Sequence, residues 1–442
     1  MKLSFISIFW LGILIDNVNS QKCSKISVRK EVRSLSQNEW KIYVSTMKEM
    51  HRLGWLNRFA IIHSKYFRDV HGTKEFLPWH RRFLVEFENT ARSINPSYVQ
   101  PYWDSSIDFK NPASSKVLSS SMIGGNGKGD DMCVGDGLQK GWINEYPERR
   151  CLRRNYNNKD SLKPFISPES VSSDIQLSST FKEFSSRIES GVHNQVHSSV
   201  GGDMGQGQSP LDLLFMLHHA NIDRIWWIYQ NAKKSNMLSY SGNLDEKITF
   251  YNYEISTLMK LGEGYLCYSY TRSPVLNRRQ DGFSTNKTDI YSVLQVPEMS
   301  LATGVSKNNL ERFFPDLISG NPSPNSIDMP NTVSQGALDY IKSRKNLVNN
   351  KSGINNSTNS VGTNEATASI QNSLISDLNS DNYGNPNIKN ISNRPKMPYP
   401  EMVSDEMAKH HLLDLDFYHS YYEEKRALVD ALNADGYVSP YI

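Results

Sequence analysis

Six of the eleven histidines fall into two triplets, His63, His71, His80 and then His193, His197, His219. The first runs through HSKYFRDVHGTKEFLPWHRRF, the second through HNQVH and then SPLDLLFMLHHANIDRIWW. A chain built this way has to bring distant segments together. His193 and His197, four apart, share one face of a helix. His63 falls on one predicted helix, His80 on the next, and His71 at the Val70-His71-Gly72 turn between them. Each triplet offers three imidazoles to one metal ion. Imidazole suits copper, zinc and iron, and an all-histidine site without carboxylate or thiolate leans towards copper. His51 competes with His63, but an ordinary surface or core role suits it better.

The helices that would carry these residues are legible. Ser36 and Glu39 make a capping box for a helix over 36–53, where Trp40, Tyr43, Val44, Met47 and Met50 recur at helical spacing. A second helix is predicted over 57–67. A third runs from Pro78 to about Arg92, with Trp79, Phe83, Leu84 and Phe87 inward. Residues 105–175, rich in Gly, Ser, Asn and Pro, read as loop. Helices follow at about 180–198 and from an N-cap at Ser209 to about Asn231. The last is predicted from Asp405 to Asn433, where Phe417, Tyr418, Tyr421 and Tyr422 form a set able to dock on the core. The expected fold class is mainly α: a helical-bundle core carrying a binuclear copper site, long irregular loops, and a Ser/Asn-rich C-terminal tail.

Lys2 precedes an apolar run, Leu3–Ile15, too short to span a membrane, with a small-residue cleavage point at Asn19-Ser20. Residues 1–20 therefore read as a signal peptide. The expected organisation is then a copper domain over 21–272, an extension over 273–342, a low-complexity linker over 343–395 and a helical segment over 396–442. A net charge of +3 and no long basic run give nucleic-acid binding no support. No other stretch reaches the length of a membrane span. Secretion makes two disulfides the expectation for Cys23, Cys133, Cys151 and Cys267. Three pairings are open; Cys133–Cys151 closes a short Gly-rich loop and is favoured, which leaves Cys23–Cys267. Sequons at Asn286, Asn350, Asn355, Asn356 and Asn390 mark surface sites for glycosylation. His410, His411 and His419 read as a solvated helix face, since no ligand cluster accompanies them.

The segments FLPWHRRF, PYWDSSID, HNQVHSSVGGDM and FMLHHANIDRIWWIYQ, in this order and spacing, resemble the type-3 copper family, tyrosinases in particular, over roughly residues 36–272. The resemblance implies a secreted metazoan member with His63, His71 and His80 on one copper ion and His193, His197 and His219 on the second. His218 and Phe215 would line the substrate pocket, and Gly207 would leave the mouth over the second copper open. Asp223 would fix a ligand imidazole from behind, or else pair with Arg224 at the surface. Asp104 would play a similar buried role or cap a turn. Asn194 and Glu189 would orient a water that takes the proton of an incoming phenol. Two departures stand out: Asp69, two before His71, excludes a Cys–His thioether, and Leu211-Asp212-Leu213 replaces the usual Asn-Asp-Pro. The implied chemistry is ortho-hydroxylation of monophenols and oxidation of o-diphenols to o-quinones, with O2 as co-substrate. Partners would be small phenols and catechols or protein tyrosyl residues, and the products would serve pigment formation or crosslinking. The tail would act as a shield, a spacer or a matrix-binding segment. Rival readings are a catechol oxidase without monophenolase activity, a haemocyanin-like oxygen carrier, and an inactive matrix protein.

Overall fold

The computed structural model describes residues 23–271, 305–318, 394–439 and 441–442. The signal-peptide reading, the five sequons and most of the predicted extension and linker lie outside the described residues. Among the described residues no helix is long and apolar enough to cross a membrane.

Three helices open the core: α1 (Gln37–Arg52), α2 (Trp55–Val70) and α3 (Phe76–Ile94). The capping box at Ser36 and Glu39 is formed in full. The side chains predicted to face inward on α3, Trp79, Phe83, Leu84 and Phe87, are completely buried. Strand β1 (Ser27–Arg29) pairs in parallel with β6 (Tyr268–Tyr270), so the two ends of the core lie side by side, and the Cys23–Cys267 disulfide joins them.

The stretch expected as loop carries two small hairpins, β2 (Gly127–Lys128) with β3 (Cys133–Val134) and β4 (Ile143–Asn144) with β5 (Arg150–Cys151). Cys133–Cys151 staples them together. Its end, however, is helical: α4 (Pro168–Leu177) is capped by Ser167, with Pro168 in the first turn. Nearly every residue of α4 is buried. A helix enclosed on all sides shows no apolar stripe, which is why the sequence pattern misses it.

The helix expected over 180–198 is broken. α5 (Phe181–Ile188) passes into a π-helical turn, Glu189–His193, and resumes as α6 (Asn194–Val200). Gly191 in the turn has φ −90° and ψ −110°, and a Cβ there would lie 2.2 Å from the Tyr421 hydroxyl. α7 (Leu213–Ala232) is capped by Asp212, not Ser209, which begins a separate 3-10 turn. The Asp212 carboxylate accepts from the Leu214 N–H at 2.9 Å and from fully buried Arg154 at 2.6 and 2.8 Å.

Two short helices, α8 (Lys307–Phe313) and α9 (Pro315–Ile318), precede the C-terminal segment. The single helix expected over 405–433 is two, α10 (Asp405–His410) and α11 (Leu415–Ala434), separated where Leu412 turns left-handed at φ 61°. Tyr418, Tyr421, Tyr422, Leu428 and Leu432 of α11 are buried. The segment is tied to the core at several points. Gln195 Nε2 donates to the Glu401 carbonyl at 2.8 Å, Arg187 meets Glu424 at 2.8 Å, and Lys425 meets Asp174 at 2.5 Å, with both charges of this last pair buried.

Candidate metal centre

α2 contributes His63, the turn after it His71, and α3 His80. Their ring nitrogens form one compact cluster, and all three side chains are buried. The ring orientations follow from the backbone. His71 Nδ1 lies 2.9 Å from the Phe67 carbonyl and His80 Nδ1 2.7 Å from that of Phe76, one helical turn back in each case. His63 Nδ1 lies 2.6 Å from the Gly207 carbonyl, and His197 Nδ1 2.7 Å from that of Met204. Carbonyls accept only, so Nδ1 carries the proton in all four rings and Nε2 keeps a lone pair for a metal.

The second cluster forms where the π turn delivers His193 and α6 delivers His197. Both His218 and His219 of α7 reach it. His218, not His219, groups with His193 and His197 by ring-nitrogen distance, and its Nδ1 is buried without a partner. Its Nε2, however, stands 3.3 Å from the His193 carbonyl, a partner that uses up that nitrogen. His219 Nε2 points at His197 Nε2 from 3.1 Å, and its ring stacks on His80 at 4.4 Å and on Phe215 at 4.1 Å. Either ring of the His218–His219 pair thus presents a nitrogen to His193 and His197. The two clusters share a wall: His71 and His193 rings are 5.8 Å apart.

Burial pushes the His63 imidazole down to about 3 and that of His197 to about 4, and it lowers the other four as well. All six are neutral at pH 7, the form that ligates metal. Both ring nitrogens of His193 and Nδ1 of His219 are buried without a hydrogen-bond partner. Orphaned buried nitrogens are costly, and the donor set fits a pair of imidazole-loving ions.

Glu189 and Asn194 flank the first ligand of the second cluster. Glu189 is buried, not exposed on a helix, and its Oε1 accepts the Gly72 N–H at 2.8 Å. It thus ties the His71 turn to the His193 segment. Burial pushes its carboxyl up to about 8 against the opposing Gly72 hydrogen bond. Asn194 is fully enclosed; its Oδ1 accepts from Ser198 at 3.1 Å, and its Nδ2 has no partner.

Several expected placements change. Asp223 neither holds an imidazole nor sits in a surface pair with Arg224. It is buried beneath α3, bonded to Arg81 at 2.5 Å and to the hydroxyls of Tyr268 at 2.7 Å and Tyr270 at 2.5 Å, with Arg29 at 3.4 Å. Burial would raise its carboxyl, but the guanidiniums outweigh this and hold it below the ordinary range. Asp104, by contrast, stands at the head of a turn as one reading expected: it is the N-cap of Ser105–Asp108, accepts from Ser106 at 2.6 Å and meets Arg224 of α7 at 3.5 Å. Gly207 belongs to the first cluster through its carbonyl, and a Cβ there would press on Ser64 of α2 at 3.2 Å instead of overhanging the second. Phe215 is fully buried between His63 and His219, a partition common to both clusters, and His218 is equally enclosed. His51 stacks on Trp142 at 4.3 Å, in an ordinary structural role. Both disulfides consume all four cysteines, so none remains for a thioether to His71.

One residue was misjudged from sequence. His410 and His419 stay in solvent contact, but His411 is 3% exposed and lies against the centre. Its ring is 6.1 Å from that of His197 and 6.0 Å from that of Phe67. Nothing in the local pattern separates it from His410; only the break at Leu412 aims it inward.

The family model described as the common central domain of tyrosinase matches residues 54–232, a span that contains both triplets. The tyrosinase ustQ of Aspergillus flavus is 30% identical over 288 residues, covering 56% of this chain and 80% of that protein. A tyrosinase of Streptomyces antibioticus is 32% identical over 237 residues, covering 48% and 85%. A solved polyphenol oxidase from Thermothelomyces thermophila overlays on 56% of this chain and 89% of its own, at TM-score 0.46 and 20% identity. With both histidine clusters assembled and sequence relatives matched over most of their length, this chain belongs to the tyrosinase family of type-3 copper proteins.

Proposed function

We propose that the protein is a secreted tyrosinase. It would hydroxylate monophenols to o-diphenols and oxidise these to o-quinones, with two copper ions and O2 as co-substrate. One observation carries the reading: six neutral, buried imidazoles from separate segments face one another with Nε2 lone pairs or orphaned nitrogens turned inward. His63, His71 and His80 hold one ion, and His193, His197 and His219 the other. When bound, the copper pair supplies O2 activation and electron exchange.

The remaining work falls to side chains. Asn194 and Glu189, on either side of His193, orient a water that takes the phenol proton, with the Glu189 carboxylate as its final acceptor. Burial opposes that ionised form, and the positive charge of a loaded centre favours it. Phe67, Phe76 and Phe215 surround the clusters and keep water away. Substrates are tyrosine, tyrosyl side chains or small catechols, and the quinones serve pigment formation or crosslinking. The apolar run after Lys2 and the two disulfides support secretion. The C-terminal segment, with His411 buried at the centre, acts as a shield over the substrate face.

The test is a paired assay of copper-loaded protein on tyrosine and on dopa, with copper per chain measured, before and after proteolytic release of the C-terminal segment. Oxidation of both substrates after release is the expected result. Oxidation of dopa alone would make the protein a catechol oxidase, and reversible O2 binding without turnover a carrier.

A further inference from the structure

Four of the imidazoles at the centre are oriented by hydrogen bonds of their own: His63, His71, His80 and His197 each set Nδ1 on a main-chain carbonyl. His193 has no such anchor. Both its ring nitrogens are buried without a hydrogen-bond partner. Its ring packs on Phe76 at 4.7 Å and faces His197 at 4.6 Å. Such packing lacks the direction of a hydrogen bond, so the place of this ring follows the backbone that carries it.

That backbone is the π turn Glu189–His193. Turns of this kind are rare and interrupt α-helices mostly at functional sites. Gly191, two residues before His193, leaves helical dihedrals altogether. Tyr421 of α11 lies directly on it: the hydroxyl and the adjoining ring edge occupy the space that a Cβ on Gly191 would take.

Tyr421 is itself firmly held. It is buried, and its hydroxyl donates to Asp174 of α4 at 2.9 Å. The same carboxylate meets Lys425, one turn further along α11, at 2.5 Å and Arg187 of α5 at 3.4 Å. Arg187 stands two residues before Glu189 and also donates to Glu424 at 2.8 and 3.0 Å. α4, α5 and α11 thus close an ionic frame around the entry to the turn, and Tyr421 extends that frame to the glycine.

We propose that Tyr421 is a positioning residue for His193: by filling the space over Gly191 it holds the π turn in the form that presents this imidazole to the second cluster. The inference rests on the copper-centre reading above. The C-terminal segment then acts twice on one site. It covers the centre, and it keeps one ligand of the second copper in place. Its release opens the centre and at the same time shortens the lifetime of that copper.

The test uses the full copper-loaded chain in wild type, Tyr421→Leu and Tyr421→Phe, and follows copper loss to excess chelator over time. Tyr421→Leu should release one copper about tenfold faster than wild type, the scale expected when support behind a metal ligand is removed, while the other leaves at the wild-type rate. Tyr421→Phe, which keeps the ring over Gly191, should restore slow release. In a His63→Ala background, where the remaining copper sits in the second cluster, the acceleration by Tyr421→Leu should persist. Equal acceleration of both coppers, no acceleration, or its disappearance in the His63→Ala background would overturn the positioning role and leave the centre intact. Should Tyr421→Leu fail to fold, Gly191→Ala drives a Cβ into the same contact and should speed loss of the same copper; release at the wild-type rate would overturn the inference equally. A wild-type chain that takes up no copper would overturn the copper-centre reading itself.

Discussion

Among single side chains, Glu189 and the two adjacent histidines of α7 carry the sharpest consequences. Removing the charge with Glu189→Gln should lower tyrosine hydroxylation by about a hundredfold, the scale of a positioned general base. Dopa oxidation should fall far less if the carboxylate serves the phenol proton, and steady-state rates on the two substrates decide it. His219→Ala should cost one copper per chain, whereas His218→Ala should retain both, since His218 Nε2 is already directed at the His193 carbonyl. Metal analysis after gel filtration separates these outcomes. The two histidine groups were readable in sequence because their spacing and aromatic setting are local properties. The partners of Asp223 were not, because Arg81, Arg29, Tyr268 and Tyr270 meet it from three other elements. His411 was hidden for the same reason.

Helices and turns show where local pattern suffices and where it fails. α1 and α2 have one buried face each, and α3, though enclosed all round from Phe76 to Val85, keeps large apolar residues at helical spacing, so the apolar period marks all three within a few residues of their ends. α4 is buried all round, and the π turn owes its shape to Gly191 lying against Tyr421 from another part of the chain. The interface between α11 and the core is correspondingly sensitive. Asp174→Asn removes the nearer and more deeply buried of the two carboxylates on the fully buried Lys425 ammonium, leaving Glu424 at 3.0 Å, and should destabilise the protein by about 3 kcal/mol, measured by denaturant titration. Glu424 is held down at about 2: burial would raise it, but hydrogen bonds and charge from Arg187 and Lys425 win. Its ordinary value of 4.5 in the unfolded chain lies higher, so its contribution is present above pH 4.5 and is lost as pH falls towards 2. Acid unfolding of wild type should accordingly steepen below pH 4.5, and Glu424→Gln should flatten that limb.

Across the whole molecule, the Cys23–Cys267 bond closes a loop with a sequence separation of 244. Replacing both cysteines by serine should cost about 2–5 kcal/mol, seen as a lower denaturant midpoint with the Cys133–Cys151 bond left in place. The sequence by itself determined the mainly helical core and the two histidine groups, because spacing, capping and donor chemistry act over a few residues. It also favoured the disulfide pairing that the fold contains. Only the tertiary structure decided which acids touch the histidine clusters and which brace the fold around them, that α4 exists, and that His411 packs against His197. Those outcomes depend on burial and on partners far away in the chain, and no local pattern encodes them.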